Sequence, residues 1–108
     1  MITIDELKKV EIRAGKILSA EVIEGSEKLL KLSVDFGEEK PRTILSGIAK
    51  YFPEGNGLSG VICGFVTNLE PRPMMGLVSE GMILAVSGDE FFSLLKFDDN
   101  VVLGSLVR

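Results

Sequence analysis

Apolar residues along the chain recur at every second position, in short runs that stop at glycine. From Val10 to Val22 the run VEIRAGKILSAEV sets Val10, Ile12 and Ala14 on one side and Glu11 and Arg13 on the other, the two-residue period of a half-buried strand. Gly15 inside this run predicts a bulge or sharp bend, which lets one long strand serve both halves of a small curved sheet. Lys31 to Phe36 (KLSVDF) alternates through Leu32, Val34 and Phe36 and halts at Gly37. The charged turn Glu38, Glu39, Lys40, Pro41 then joins it as a hairpin to a strand over Arg42 to Leu45. Between Gly47 and Gly60 the period breaks at Pro53, Gly55, Asn56 and Gly57, so the segment reads as a loop with at most a helical turn at Ile48 to Phe52. Further strands are expected over Val61 to Thr67, Gly81 to Val86, Glu90 to Phe97 and Val101 to Val107. Near the start, Thr3 and Glu6 have the form of a capping box, predicting one or two helical turns over Ile4 to Lys9 that act as a lid.

Many short strands, a long bent first strand and a helical turn after the third point to an all-β chain. The pattern suits a small closed barrel of the oligonucleotide-binding (OB) fold better than a sandwich. At 108 residues a single packed core is feasible without disulfides or a structural metal, and a second domain is not.

Composition narrows the chemistry. There is no histidine, which removes the commonest general base and metal ligand. The single cysteine, Cys63, lies in an apolar run and reads as a buried inert thiol, so neither a disulfide nor a metal cluster is expected. No nucleophile, base and orienter can readily be assembled, and the expectation is a protein that is not an enzyme, with no cofactor and no metal. The first residues, MITIDELKK, mix acidic and basic side chains where a signal peptide would have a basic start and an apolar block, and no apolar stretch approaches a membrane span. A cytoplasmic protein without a membrane partner is the expectation.

The polar residues that border strands at turns are Lys28, Arg42, Ser46, Lys50, Asn68, Arg72 and Ser79. TILSGIAK, Thr43 to Lys50, brings a small hydroxyl, a bare glycine backbone and a cation together, which suits a phosphate or a ribose hydroxyl. It equally describes a strand end with a glycine turn and a solvated lysine. TNLEPRPMMGLVSEGM, Thr67 to Met82, holds Arg72 between Pro71 and Pro73 on stiff backbone, where a guanidinium can grip phosphate or stack on a base. The plainer reading is a surface arginine with methionines filling space under a loop. Charge is uneven: 12 Lys and Arg against 16 Asp and Glu give a net −4, yet nine of the twelve cations fall within residues 8 to 50. A basic face can attract phosphate while the acidic tail after Glu80 repels it, so RNA affinity should be modest and fall with salt.

These two segments also carry a resemblance. KLLKLSVDFGEEKPRTILSGIAKYF followed by NLEPRPMMGLVSEGMILA closely resembles the tRNA-binding domain of methionyl-tRNA synthetases, a module also found as free-standing homodimers and related to an export chaperone. The signature covers about residues 10 to 86, within one domain over residues 1 to 108. The resemblance implies a five-stranded OB barrel with short helices and extra C-terminal strands, with residues 87 to 108 supporting a homodimer. It implies a partner, tRNA, bound by shape and backbone, and a role beside methionyl-tRNA synthetase as a beta subunit or free-standing cofactor. By position it implies RNA contacts at Lys28, Arg42, Ser46, Lys50, Asn68, Arg72, Ser79 and Met82; Pro73 stands where the family usually has a second cation. The alternative it carries is a homodimeric chaperone-like protein that binds unfolded peptides.

Overall fold

Strand β2 (Leu30–Asp35) turns the sequence period directly into burial: Leu30, Leu32 and Val34 are buried, while Lys31, Ser33 and Asp35 alternate with them on the wetter side. The computed structural model describes residues 1–108, and its other barrel strands are β1 (Ile12–Val22), β3 (Arg42–Ser46), β4 (Ile62–Val66) and β7 (Met82–Ile83). Two hairpins lie outside this sheet, β5 (Arg72–Met74) with β6 (Leu77–Ser79) and β8 (Ala85–Ser87) with β9 (Phe92–Leu94). A single turn of helix, α1 (Ile4–Leu7), carries the expected capping box, with Thr3 and Glu6 each satisfying the other's backbone N–H. No helix is long and apolar enough to cross a membrane.

The five barrel strands pair antiparallel in the order β3-β2-β1-β4-β7. Strand β1 is shared: Ile12 to Lys16 pair with β4, and Lys16 to Val22 pair with β2. Its register slips between Ile17 and Ser19, so the irregularity sits at Leu18 and not at Gly15. Gly15 serves another purpose, because a Cβ there would fall on the Val34 and Phe36 side chains. The Phe36 ring lies edge-on to Phe65 at 5.2 Å between centroids, inside a core with Ile17, Leu32, Val34 and Ile44.

The outer strands β3 and β7 are not neighbours in the hydrogen-bonded sheet, and residues 79 and 80 fill the gap between them. Glu80 N–H donates to the Thr43 carbonyl at 2.8 Å, Thr43 N–H to Glu80 Oε1 at 3.0 Å, and Leu45 N–H to Ser79 Oγ at 3.0 Å. The result is a nearly closed five-stranded antiparallel barrel of the OB type.

The C-terminal region departs from the expected strand pattern. Gly81 to Val86 is divided between β7 and β8, and Glu90 to Phe97 supplies only β9 followed by a bridge from Lys96 to Cys63. Val101 to Val107 is not a strand. Gly104 turns the chain at φ +89°, close against the Phe36 carbonyl, and donates its N–H to Ala14 O at 2.8 Å. Beyond it, Leu106 bridges to Arg13, and Val107 N–H donates to Ile12 O.

Candidate nucleic-acid interface

The TILSGIAK segment ends strand β3 and turns immediately. Ser46, the last residue of β3, pairs with Leu30 and is half-buried, and the Gly47 backbone behind it is open, with no atom within 4 Å of where a Cβ would sit. Ala49 N–H donates to the Lys28 carbonyl at 3.1 Å, which ties this turn to the loop over residues 23–29. Ser26 shapes that loop by accepting from Leu29 N–H at 3.1 Å. Lys28, Ser46 and Lys50 thereby gather at one end of the barrel, with both lysines exposed. The Lys50 ammonium lies 5.1 Å from the centroid of the Tyr51 ring, which stacks on Phe92 at 4.1 Å.

The proline-rich segment, expected as a stiff loop, folds into the β5–β6 hairpin. Arg72 pairs with Ser79, and the tip is made by Met75 and Gly76, both at positive φ (51° and 77°). The Met75 methyl lies 3.5 Å from where a Cβ on Gly25 would be, so the hairpin tip meets the 23–29 loop. In OB barrels the loops after the first and fourth barrel strands border the oligonucleotide face. Here those loops are residues 23–29 and 67–81, and they touch. Arg72 is exposed, and its single contact, Nη2 to Gly81 O at 3.5 Å, leaves the guanidinium open to an anion. Met82, 39% exposed, opens β7 beside this hairpin.

Arg42, Asn68 and Ser79 hold the 67–81 loop with their polar atoms. The Arg42 guanidinium grips both Glu38 carboxylate oxygens at 2.8 and 2.9 Å and donates from Nη1 to the Thr67 and Glu80 carbonyls at 2.7 and 3.2 Å. That bidentate bond lowers the Glu38 pKa below the ordinary carboxylate range and raises that of Arg42. Asn68 accepts from Glu11 N–H at 2.8 Å and donates to the Lys9 carbonyl at 2.7 Å, so both ends of its amide are engaged. Ser79 is 0% exposed, and its hydroxyl also donates to Gly81 O at 3.1 Å. Glu11 and Thr67, which residue spacing does not single out, complete the support: Glu11 accepts from Arg13 Nε and from Thr67 Oγ1, each at 2.7 Å. The Arg13 hydrogen bond is the main reason the Glu11 pKa is lowered. Their signal is absent from the sequence because Thr67 lies 56 positions from Glu11.

The remaining chemistry is sparse. No group of three His, Cys, Asp or Glu side chains is placed to hold a metal ion. Burial pushes the Cys63 thiol up to about 12, far from a reactive thiolate at neutral pH.

An OB barrel whose two border loops touch, one bearing exposed Lys28 and the other exposed Arg72, has the architecture in which nucleic-acid-binding modules are found. Residues 12–106 match the family described as "Putative tRNA binding domain", and the chain belongs to that family. It is 44% identical over 107 residues, 98% of its length, to a methionine–tRNA ligase of Lactococcus lactis subsp. lactis, and spans 16% of that protein. It is 47% identical over 107 residues to a methionine–tRNA ligase of Helicobacter pylori, again covering 98% of this chain and 16% of the relative. Among solved structures, the MetRS-related protein of Pyrococcus horikoshii superposes with a TM-score of 0.91 at 34% identity, covering 100% of this chain and 98% of that one. The CsaA chaperone protein of Picrophilus torridus, at 24% identity and a TM-score of 0.86 with both chains fully covered, is alike in fold. The family is a non-catalytic, tRNA-binding domain, homologous to a region of methionyl-tRNA synthetases.

Proposed function

We propose that this chain is a cytoplasmic tRNA-binding protein that reads the folded shape and backbone of its ligand with little base recognition. The observation that carries the reading is the contact of Met75 with the Gly25 loop, which joins the loop bearing Lys28 to the hairpin bearing Arg72. Lys28, Ser46, Lys50, Arg72 and Met82 form the contact surface. Arg42, Asn68 and Ser79 act behind it by fixing the 67–81 loop. Phosphate contacts of this kind position an RNA without specifying its sequence.

In this reading the protein raises the local concentration of tRNA for methionyl-tRNA synthetase, as a beta subunit or free-standing cofactor, and carries out no bond chemistry. A homodimer would present two such surfaces on one body and strengthen binding wherever both engage. A groove of about 470 Å³ lined by Ile4, Leu7, Val10, Leu106 and Val107, all of them exposed, supports such pairing. Light scattering should return twice the mass of the chain, and a monomeric mass would remove this part of the reading.

The central test is a salt series of tRNA binding. Lys50→Ala and Arg72→Ala should each weaken binding and flatten the plot of log affinity against log salt by about one unit. Unchanged affinity in both variants rejects the assigned surface. Addition of the protein should lower the KM for tRNA of a methionyl-tRNA synthetase that lacks such a domain; an unaltered KM removes the synthetase role. The apolar groove also favours a second reading, a chaperone-like dimer that holds unfolded peptides. Capture of a denatured protein by a chain that leaves tRNA unshifted would replace the first reading with the second.

A further inference from the structure

Two adjacent phenylalanines, Phe91 before strand β9 and Phe92 at its start, have side chains with opposite fates. Phe92 points inward, stacks on Tyr51 with the ring planes 12° apart, and meets Phe52 edge-on at 5.8 Å. Phe91, on the tight turn before it, is 58% exposed and belongs to no part of the core. The turn is closed by Gly88 N–H donating to the Phe91 carbonyl at 3.0 Å. The Phe91 ring lies over the Gly88 backbone, in the place a Cβ at position 88 would take. The ring is thus held back over its own hairpin, with its outer surface uncovered. It forms one wall of a groove of about 300 Å³ whose other walls include Lys50, Tyr51, Asp89 and Glu90.

We propose that this groove binds one unpaired, amine-bearing nucleobase of the RNA, for which cytosine is the type; the inference rests on the RNA-binding reading above and adds a base-reading pocket to it. Stacking needs an exposed aromatic surface fixed in place, and Phe91 supplies it. A pocket built for backbone phosphate alone would be lined by cations, whereas Asp89 and Glu90 repel phosphate and accept hydrogen bonds from an exocyclic amine. Lys50 supplies the complementary charge for the phosphate attached to the stacked base. A uracil places a carbonyl oxygen where cytosine has its amine, so the carboxylates reject it. Unpaired bases of RNA loops are free to be splayed out and stacked in this manner.

The test uses the full chain with two single-stranded RNA pentamers of equal charge, all-cytidine and all-uridine, followed by fluorescence anisotropy at low salt. The cytidine pentamer should bind about tenfold more tightly than the uridine one. Phe91→Ala should weaken the cytidine pentamer about tenfold, the scale of losing one base stack, while Phe91→Tyr retains it. Asp89→Asn combined with Glu90→Gln should erase the preference between the pentamers. Equal binding of both pentamers by the wild-type protein, or no binding of either, overturns the proposal. So does an unchanged affinity in Phe91→Ala, or a fall in molecular mass of that variant, which would make Phe91 an anchor between subunits. Loss of tRNA affinity in Arg72→Ala without any base preference defeats this pocket alone. A clear cytidine preference with Lys28→Ala and Arg72→Ala both indifferent to tRNA defeats the assigned contact surface and leaves the pocket standing.

Discussion

Replacing Ser79 by alanine tests how the barrel is closed. The Ser79 hydroxyl accepts from Leu45 N–H at 3.0 Å and donates to Gly81 O at 3.1 Å, and all three residues are buried. Alanine fits the space but leaves the buried Leu45 N–H without its partner and the Gly81 carbonyl with only the long 3.5 Å bond from Arg72 Nη2. An unsatisfied buried group costs about 1–3 kcal/mol, so the full loss at Leu45 N–H and a partial loss at Gly81 O together give about 2–4 kcal/mol. Set against a typical domain stability of about 5–15 kcal/mol, that is a large fraction, equivalent to a fall in Tm of roughly 10–20 °C for a domain of this size. Urea denaturation measures it as a shift of the midpoint at constant slope. Ser93→Ala is the control, because Ser93 is exposed and its hydroxyl only reaches a neighbouring carbonyl at 3.3 Å; it should change stability by less than about 0.5 kcal/mol. The same Ser79→Ala protein, kept below its transition, should bind tRNA more weakly, since the hairpin carrying Arg72 loses its attachment to β3. A Ser79→Ala variant within 0.5 kcal/mol of wild type, taking about that figure as the limit for a neutral surface change, would refute the closure argument.

Gly15→Ala should destabilise by about 1–3 kcal/mol through overpacking against Val34 and Phe36, and a thermal melt equal to wild type would show that the ring can retreat. Glu11 and Glu38 have folded pKa values held below the ordinary glutamate value of about 4.3, so their stabilising contribution is complete above that pH and is lost as the pH falls through their lowered values. Acid denaturation of a Glu11→Gln, Glu38→Gln protein should accordingly show a flatter limb below about pH 4, and an identical limb would assign acid unfolding to other groups. Cys63, buried with its thiol pushed up to about 12, should react with a thiol reagent only as the chain unfolds; rapid labelling under native conditions would contradict its burial.

How much of this was legible from the residues depends on whether the cue was local. KLSVDF, the capping box of Thr3 and Glu6, and the pattern of short strands carry their own instructions, and β2, α1 and the barrel class follow from them. The β5–β6 hairpin was hidden because its turn places Met75 at positive φ where Asn or Asp is the usual cue. Val101 to Val107 looked like a strand, yet Gly104 packs on the Phe36 carbonyl and turns the chain, a demand set by a residue far away in sequence. A bulge at Gly15 is what the residues suggest, whereas the register slips at Leu18 and the space at Gly15 is taken by the Val34 and Phe36 side chains. In the candidate surface, lysines and an arginine at turns were visible as types. The employment of Arg42 was not, because its carbonyl partners lie 25 and 38 positions away. Phe91 is silent in the sequence for a similar reason, since nothing in EFFSLLKF distinguishes the inward ring from the outward one.

The division of β1 between two partners has a consequence for synthesis on the ribosome. Strands β1, β2 and β3 are consecutive antiparallel neighbours, so this meander can form as soon as residue 46 has emerged. The segment Ile12 to Lys16 must then wait as an open edge until residues 62–66 arrive to cover it. During that interval Arg13 and Lys16 are the charges on the uncovered edge, which discourages a second nascent chain from adding its own strand there.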